Sequence, residues 1–136
     1  MHDSRYTLAM SWIAAAQIDL EAAQVLQERL PPPACFHAQQ AAEKALNAAL
    51  VFLTGDSPRF HVIHQLIEEV GALGRPIPLE LHRDLLPLDQ YYLPTRYPDA
   101  LGGGSAMSTY SARQAQAAVE VAQQLLAWVA EIVRLP

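Results

Sequence analysis

The chain has 136 residues, a net charge of −5 and a single cysteine, Cys35. This length sets one domain, residues 1–136, as the expectation, with enough apolar residues for a core without disulfide staples. The acidic balance argues against broad nucleic-acid binding, which needs a basic surface. One cysteine excludes an internal disulfide and fits a reducing compartment. No apolar run reaches about 18 residues and no secretory leader pattern opens the sequence, so a cytoplasmic location away from the membrane is expected. Alanine and leucine dominate, and strand-like alternation never runs far. The fold class is therefore all-α, an antiparallel helical bundle of about five helices.

Helical spacing of Leu8, Trp12, Ala15, Ala16, Leu20, Ala23 and Leu26 predicts a first helix from about Ser4 to Glu28. Pro31-Pro32-Pro33 ends it and then opens the second helix, because proline is tolerated in a first turn. That second helix, predicted to stop near Gly55, carries an unusual stripe. At about 100° per residue, His37, Gln40, Glu43, Lys44 and Asn47 fall within roughly one third of its circumference. Ala41, Ala45, Ala49, Phe52 and Leu53 occupy the opposite side. Polar side chains on so apolar a helix need partners, in solvent, in another subunit or in a ligand.

A third helix is expected from about His61 to Leu73, ended by Gly74. A weaker fourth follows from Leu79 to Tyr92, kinked or divided at Pro87. Residues 93–105, rich in proline and glycine, read as a loop longer than most helix connections. Ser111 and Gln114 match a capping box, which starts a last helix reaching about Val133. Its expected inward residues are Ala115, Val119, Ala122, Leu126, Val129 and Val133. So much apolar helix surface in a small bundle predicts a homodimer.

Four segments, in order, carry a family resemblance. They are Trp12, Ala16, Asp19, Leu20 and Ala23 in the first helix; Phe36, Gln40, Ala41, Glu43, Lys44, Ala45 and Leu46 in the second; His64 and Leu66; and Tyr92, Arg96, Tyr97, Pro98 and Asp99. Together they resemble a HEPN domain of the small prokaryotic type. The resemblance implies a bundle of about five helices, usually a homodimer, often encoded beside a minimal nucleotidyltransferase in toxin–antitoxin-like pairs. Many such proteins are metal-independent ribonucleases, using an arginine with a histidine four to six residues beyond it. Others lack that motif and act as nucleotide-binding or non-catalytic partners.

Arg96 stands at the late family position, but Leu101, Gly102 and Gly103 occupy the places where its histidine would fall. Cleavage by a 2′-hydroxyl needs groups to accept and return a proton, and arginine stays protonated. Arg59 and His64 satisfy the count instead, in a segment where the resemblance expects a structural histidine. The ribonuclease alternative rests on that pair. No catalytic residue is favoured, and the leaning is away from an enzyme.

The expected ligand contacts are Lys44 and Arg96 to phosphate, with Glu43, Gln40, Tyr97 and Asp99 orienting them. The plainer alternatives are a solvated helix face for Glu43 and Lys44, with contacts such as Gln40 to Lys44, and a loop lock for Arg96 and Asp99. No His/Cys cluster has metal-ligand spacing, and no cofactor is expected. Cys35 reads as a small buried hydrophobe rather than an activated thiol. The sequence thus leads to a nucleotide- or RNA-interacting partner of a minimal nucleotidyltransferase, with a ribonuclease toxin and a purely structural dimerisation module as alternatives.

Overall fold

The computed structural model describes residues 2–56, 62–91 and 110–134, with side chains from Ser4 onward. Among these residues the helices are α1 (His2–Leu26), α2 (Pro31–Thr54), α3 (Ile63–Ala72), α4 (Leu79–Leu85) and α5 (Ala112–Ile132), with a 3-10 segment (Leu86–Tyr91) after α4. No strand occurs among them.

The α1–α2 turn shows why two long helices form rather than one. Three prolines follow Leu30 and occupy the first turn of α2, where their missing N–H groups would lack helical partners anyway. Leu30 leaves helical geometry at φ −132° and ψ 69°. At the far end Gly55 adopts φ +87° and returns its N–H to the Val51 carbonyl at 2.8 Å. A side chain there would be strained by the backbone, and its Cβ would stand 3.0 Å from Arg5 Nε. The Arg5 guanidinium in turn reaches the Leu53 carbonyl. The start of α1 therefore meets the end of α2, as an antiparallel hairpin requires.

α2 is the central helix, packing on α1, α3, the 3-10 segment and α5, while α4 packs on α5. The inward residues expected on α5 are all buried. Its capping box is formed, with Gln114 N–H donating to Ser111 Oγ at 3.1 Å and Ser111 N–H donating to Gln114 Oε1 at 2.8 Å. Pro87 divides the fourth element: the α-helix ends at Leu85 and the chain tightens into 3-10 turns.

Two expectations shift. The buried phase of α1 runs through Ala9, Ile13, Ala16, Leu20 and Ala23, so Leu8 is 44% exposed rather than in the core. α3 starts at Ile63, two residues later than expected, because a carboxylate from another element caps it there. Asp89 of the 3-10 segment accepts from Ile63 N–H at 2.6 Å and from His64 N–H at 3.3 Å.

Candidate functional site

The stripe on α2 is not a solvated face. It forms a polar seam with two sides. On the α1 side, Asp19 stands within a largely apolar stretch and is 8% exposed. One of its carboxylate oxygens accepts from His37 Nδ1 at 2.8 Å, and the other from Lys44 Nζ at 2.5 Å. An ionised carboxylate only accepts, so His37 Nδ1 carries the hydrogen and its Nε2 is left for other partners. His37 and Lys44 retain side-chain exposures of 33% and 31%. The ring of His37 is also held edge-on by Phe36, with centroids 5.5 Å apart.

The other side is buried. Gln39 is fully covered, Glu43 is 6% exposed and Asn47 is 5% exposed. Gln39 Nε2 donates to Glu43 Oε2 at 3.2 Å, Gln40 Nε2 donates to the same oxygen at 3.3 Å, and Gln40 Nε2 also reaches Gln39 Oε1 at 2.6 Å. Two amides therefore solvate one buried carboxylate, which a low-dielectric site requires. Asn47 Oδ1 is buried with no hydrogen-bond partner among the described residues.

Gln40, Glu43 and Lys44 thus lie in one seam, but Gln40 bonds to Glu43 rather than to Lys44. Arg96, Tyr97, Asp99 and Arg59 lie outside the described residues. His64 sits at the start of α3, half exposed, with Nδ1 3.4 Å from Asp89 Oδ2. Sequence reasoning missed two participants in the seam. Asp19 counted only as a family-like position, although an acid bordered by Ile18 and Leu20 beside a helix of buried polar residues signals a partner. Gln39 lies at the edge of the stripe and its burial has no signature in spacing.

Cys35 is fully buried, and burial pushes its thiol up to about 12. It is a packing residue. Among the described residues no three His, Cys, Asp or Glu side chains are placed to hold a metal ion. No described helix is long and apolar enough to cross a membrane. A separate cleft of about 550 Å³ opens between α4, the 3-10 segment and α5, lined by Arg83, Tyr91, Gln114 and Glu120 among others. Among the described residues, Gln40, Glu43, Lys44 and His64 do not line it.

An all-α bundle built around a central helix, with a polar seam of Gln39, Gln40, Glu43 and Lys44 along that helix, defines a class of small helical domain. The chain belongs to the HEPN domain family, whose sequence pattern matches residues 9–133. It is similar to the crystal structure of TT1696 from Thermus thermophilus, with 36% identity, a TM-score of 0.83, and coverage of 91% of this chain and 97% of that one. It is also similar to ST0689, described as an archaeal HEPN homologue, with 31% identity, a TM-score of 0.75, and coverage of 93% and 98%. Among proteins with curated descriptions, none matches the chain.

Proposed function

We propose that this HEPN-domain protein is a homodimeric, non-catalytic module that binds the phosphate of a nucleotide or RNA at the α1–α2 seam, as the partner of a minimal nucleotidyltransferase. The observation that carries the ligand reading is the shared carboxylate. Asp19 takes one hydrogen from His37 and one from Lys44, so both side chains are oriented side by side, and the Lys44 ammonium keeps donors to spare. An ammonium oriented in this way on a partly exposed edge suits a phosphate oxygen better than a mobile surface lysine does. The nucleotidyltransferase partner and the homodimer are what the family resemblance implies. The leaning against ribonuclease activity is supported by Leu101, Gly102 and Gly103 where a histidine is needed, and by the engagement of His64 with the start of α3.

The test is calorimetric titration of the pure protein with ATP and with a short single-stranded RNA at low and moderate salt. Binding should weaken with salt, because phosphate contacts release counterions. Lys44→Ala should reduce affinity by about tenfold or more, the worth of one charge-assisted contact, and His37→Ala should also weaken it. Circular dichroism controls for folding. Unchanged affinity in Lys44→Ala rejects the site. The same RNA incubated with protein in chelator should stay intact; cleavage abolished by His64→Ala would instead establish the Arg59/His64 ribonuclease.

A further inference from the structure

The two oxygens of Asp19 hold side chains whose outer ends are chemically opposite. Lys44 Nζ gives one hydrogen to Oδ2 and keeps its other N–H donors. His37 gives its Nδ1 hydrogen to Oδ1, and that bond sets the tautomer. In the neutral ring Nε2 then carries a lone pair and no hydrogen, so it only accepts. Nε2 meets no other described residue. Among the described residues Asn47 Oδ1 is the one buried side-chain nitrogen or oxygen without a partner, so His37 Nε2 is open to solvent. Gln40, which lies between His37 and Lys44 on α2, is turned to Gln39 and Glu43. The exposed edge of the seam therefore offers one cationic donor and one neutral acceptor, both held by a single carboxylate.

A phosphate satisfies only half of this edge. Its ionised oxygens accept, so they suit Lys44 and not Nε2. Nε2 needs a donor from the ligand, and on a phosphorylated sugar that donor is a hydroxyl. We infer that the seam reads a hydroxyl beside the phosphate: Lys44 Nζ holds a phosphate oxygen while His37 Nε2 accepts from the hydroxyl on the neighbouring carbon. The ligand class is a ribose 3′-phosphate with a free 2′-hydroxyl, found in a nucleoside 3′-phosphate and at each internal position of an RNA strand. The inference rests on the phosphate site proposed above and assigns its sugar preference. Two features favour it. Donor and acceptor are anchored on two oxygens of one carboxylate, so they stand side by side, as a 2′-hydroxyl and a 3′-phosphate do. The charge of Lys44 is also balanced by Asp19, so bare charge draws an anion weakly and hydrogen bonds decide what is held. His37 is then the specificity-determining residue, since the 2′-hydroxyl is what distinguishes ribose from deoxyribose.

Calorimetric titration compares adenosine 3′-monophosphate with its 2′-deoxy form, and a short RNA strand with DNA of the same sequence, all in chelator. Wild type should bind each ribose ligand about fivefold or more tightly than its deoxy counterpart, the worth of one hydrogen bond on a partly exposed residue. His37→Asn is the deciding variant. Its amide N–H can replace Nδ1 against Asp19, which protects the fold, and nothing replaces Nε2. It should bind the deoxy ligands as wild type does and lose the ribose preference. Lys44→Ala should weaken ribose and deoxyribose ligands alike, which keeps the test open should His37→Asn fail to fold. No binding of any probe, or wild-type affinity in Lys44→Ala, would overturn the phosphate site and this inference with it. Equal affinity of wild type for both sugars, with Lys44→Ala still weakening both, would overturn the hydroxyl contact alone, as would a preference that survives in His37→Asn. RNA cleaved by wild type and spared by His37→Asn would overturn a binding role for Nε2, because the ring would then be taking the hydroxyl proton. Where the ribose preference holds, tighter binding of the strand names RNA as the source, and equal binding names the free nucleotide.

Discussion

Lys44 of α2 takes its partner from α1: its ammonium sits 2.5 Å from the Asp19 carboxylate. The pair ties the two longest helices together near the middle of α2. His37, seven residues before Lys44 and on the same face, takes the other oxygen of that carboxylate. A single acid thereby ties two side chains of α2 to α1.

Removing that acid has a predictable cost. Asp19→Ala should lower unfolding free energy by about 1–2 kcal/mol, between the worth of an exposed ion pair and that of a buried hydrogen bond to a charged group. Lys44 and His37 remain about a third exposed, so the loss stays below that of a fully buried pair. Urea unfolding of Asp19→Ala, Lys44→Ala and the double variant measures the coupling. Full additivity would show that the pair contributes nothing to register.

Much of this architecture is legible in the sequence, for identifiable reasons. Proline and glycine punctuation gives the ends of α2, and the Ser111–Gln114 spacing gives the start of α5, because each acts within one turn of helix. The polar stripe is legible because helical period alone groups His37, Gln40, Glu43, Lys44 and Asn47. What the stripe meets is not legible. Asp19 is 18 residues from His37 and 25 from Lys44, and only tertiary packing brings it there. The same holds for Asp89, whose capping of α3 moves that helix start past His61. The apolar phase of α1 misleads because both faces carry helical spacing, so Leu8 and Ala9 are equally good candidates for the core until α2 selects one.

The cap supplied by Asp89 is a second testable tie. It satisfies two N–H groups at the start of α3 from a separate element, at 2.6 Å and 3.3 Å. Asp89→Ala should cost about 1 kcal/mol, the usual worth of an N-cap side chain. It should also speed hydrogen exchange at the amides of Ile63 and His64 more than elsewhere. Unchanged protection at those two amides would mean that the carboxylate is dispensable.

Asn47 presents the opposite case, a polar group that gains nothing visible from its position. Its Oδ1 is buried with no hydrogen-bond partner among the described residues, one turn beyond Glu43 on a helix buried mainly through alanine and leucine. An unpaired buried acceptor costs roughly 1–3 kcal/mol of desolvation. Asn47→Leu should therefore be neutral or stabilising by about 1 kcal/mol, where most buried substitutions destabilise. A loss above about 2 kcal/mol, by urea unfolding, would show that the amide is needed for packing or that the larger side chain does not fit.

Cys35 makes the fold sensitive to alkaline pH. Burial raises its thiol from 9.0 to about 12. Tyr91 and Tyr110, in edge contact at 5.1 Å, are also raised, first by burial and then by the nearby Cys35. For a group held neutral in the folded state, the unfolded chain loses its proton first. Between about pH 9 and 12 the native state binds more protons than the unfolded state, so stability falls as pH rises. Below about pH 9 the thiol is protonated in both states and has no such effect. The slope for one group is at most about 1.4 kcal/mol per pH unit. Between about pH 9 and 10 the thiol dominates, since the tyrosines begin to ionise in the unfolded chain only near 10. Urea midpoints at pH 8, 9 and 10 should decline for wild type and stay flatter for Cys35→Ala. The native thiol should also resist disulfide reagents at pH 8 until urea is added. Rapid labelling of the folded protein, or equal slopes in the two proteins, would contradict a buried thiol at this position.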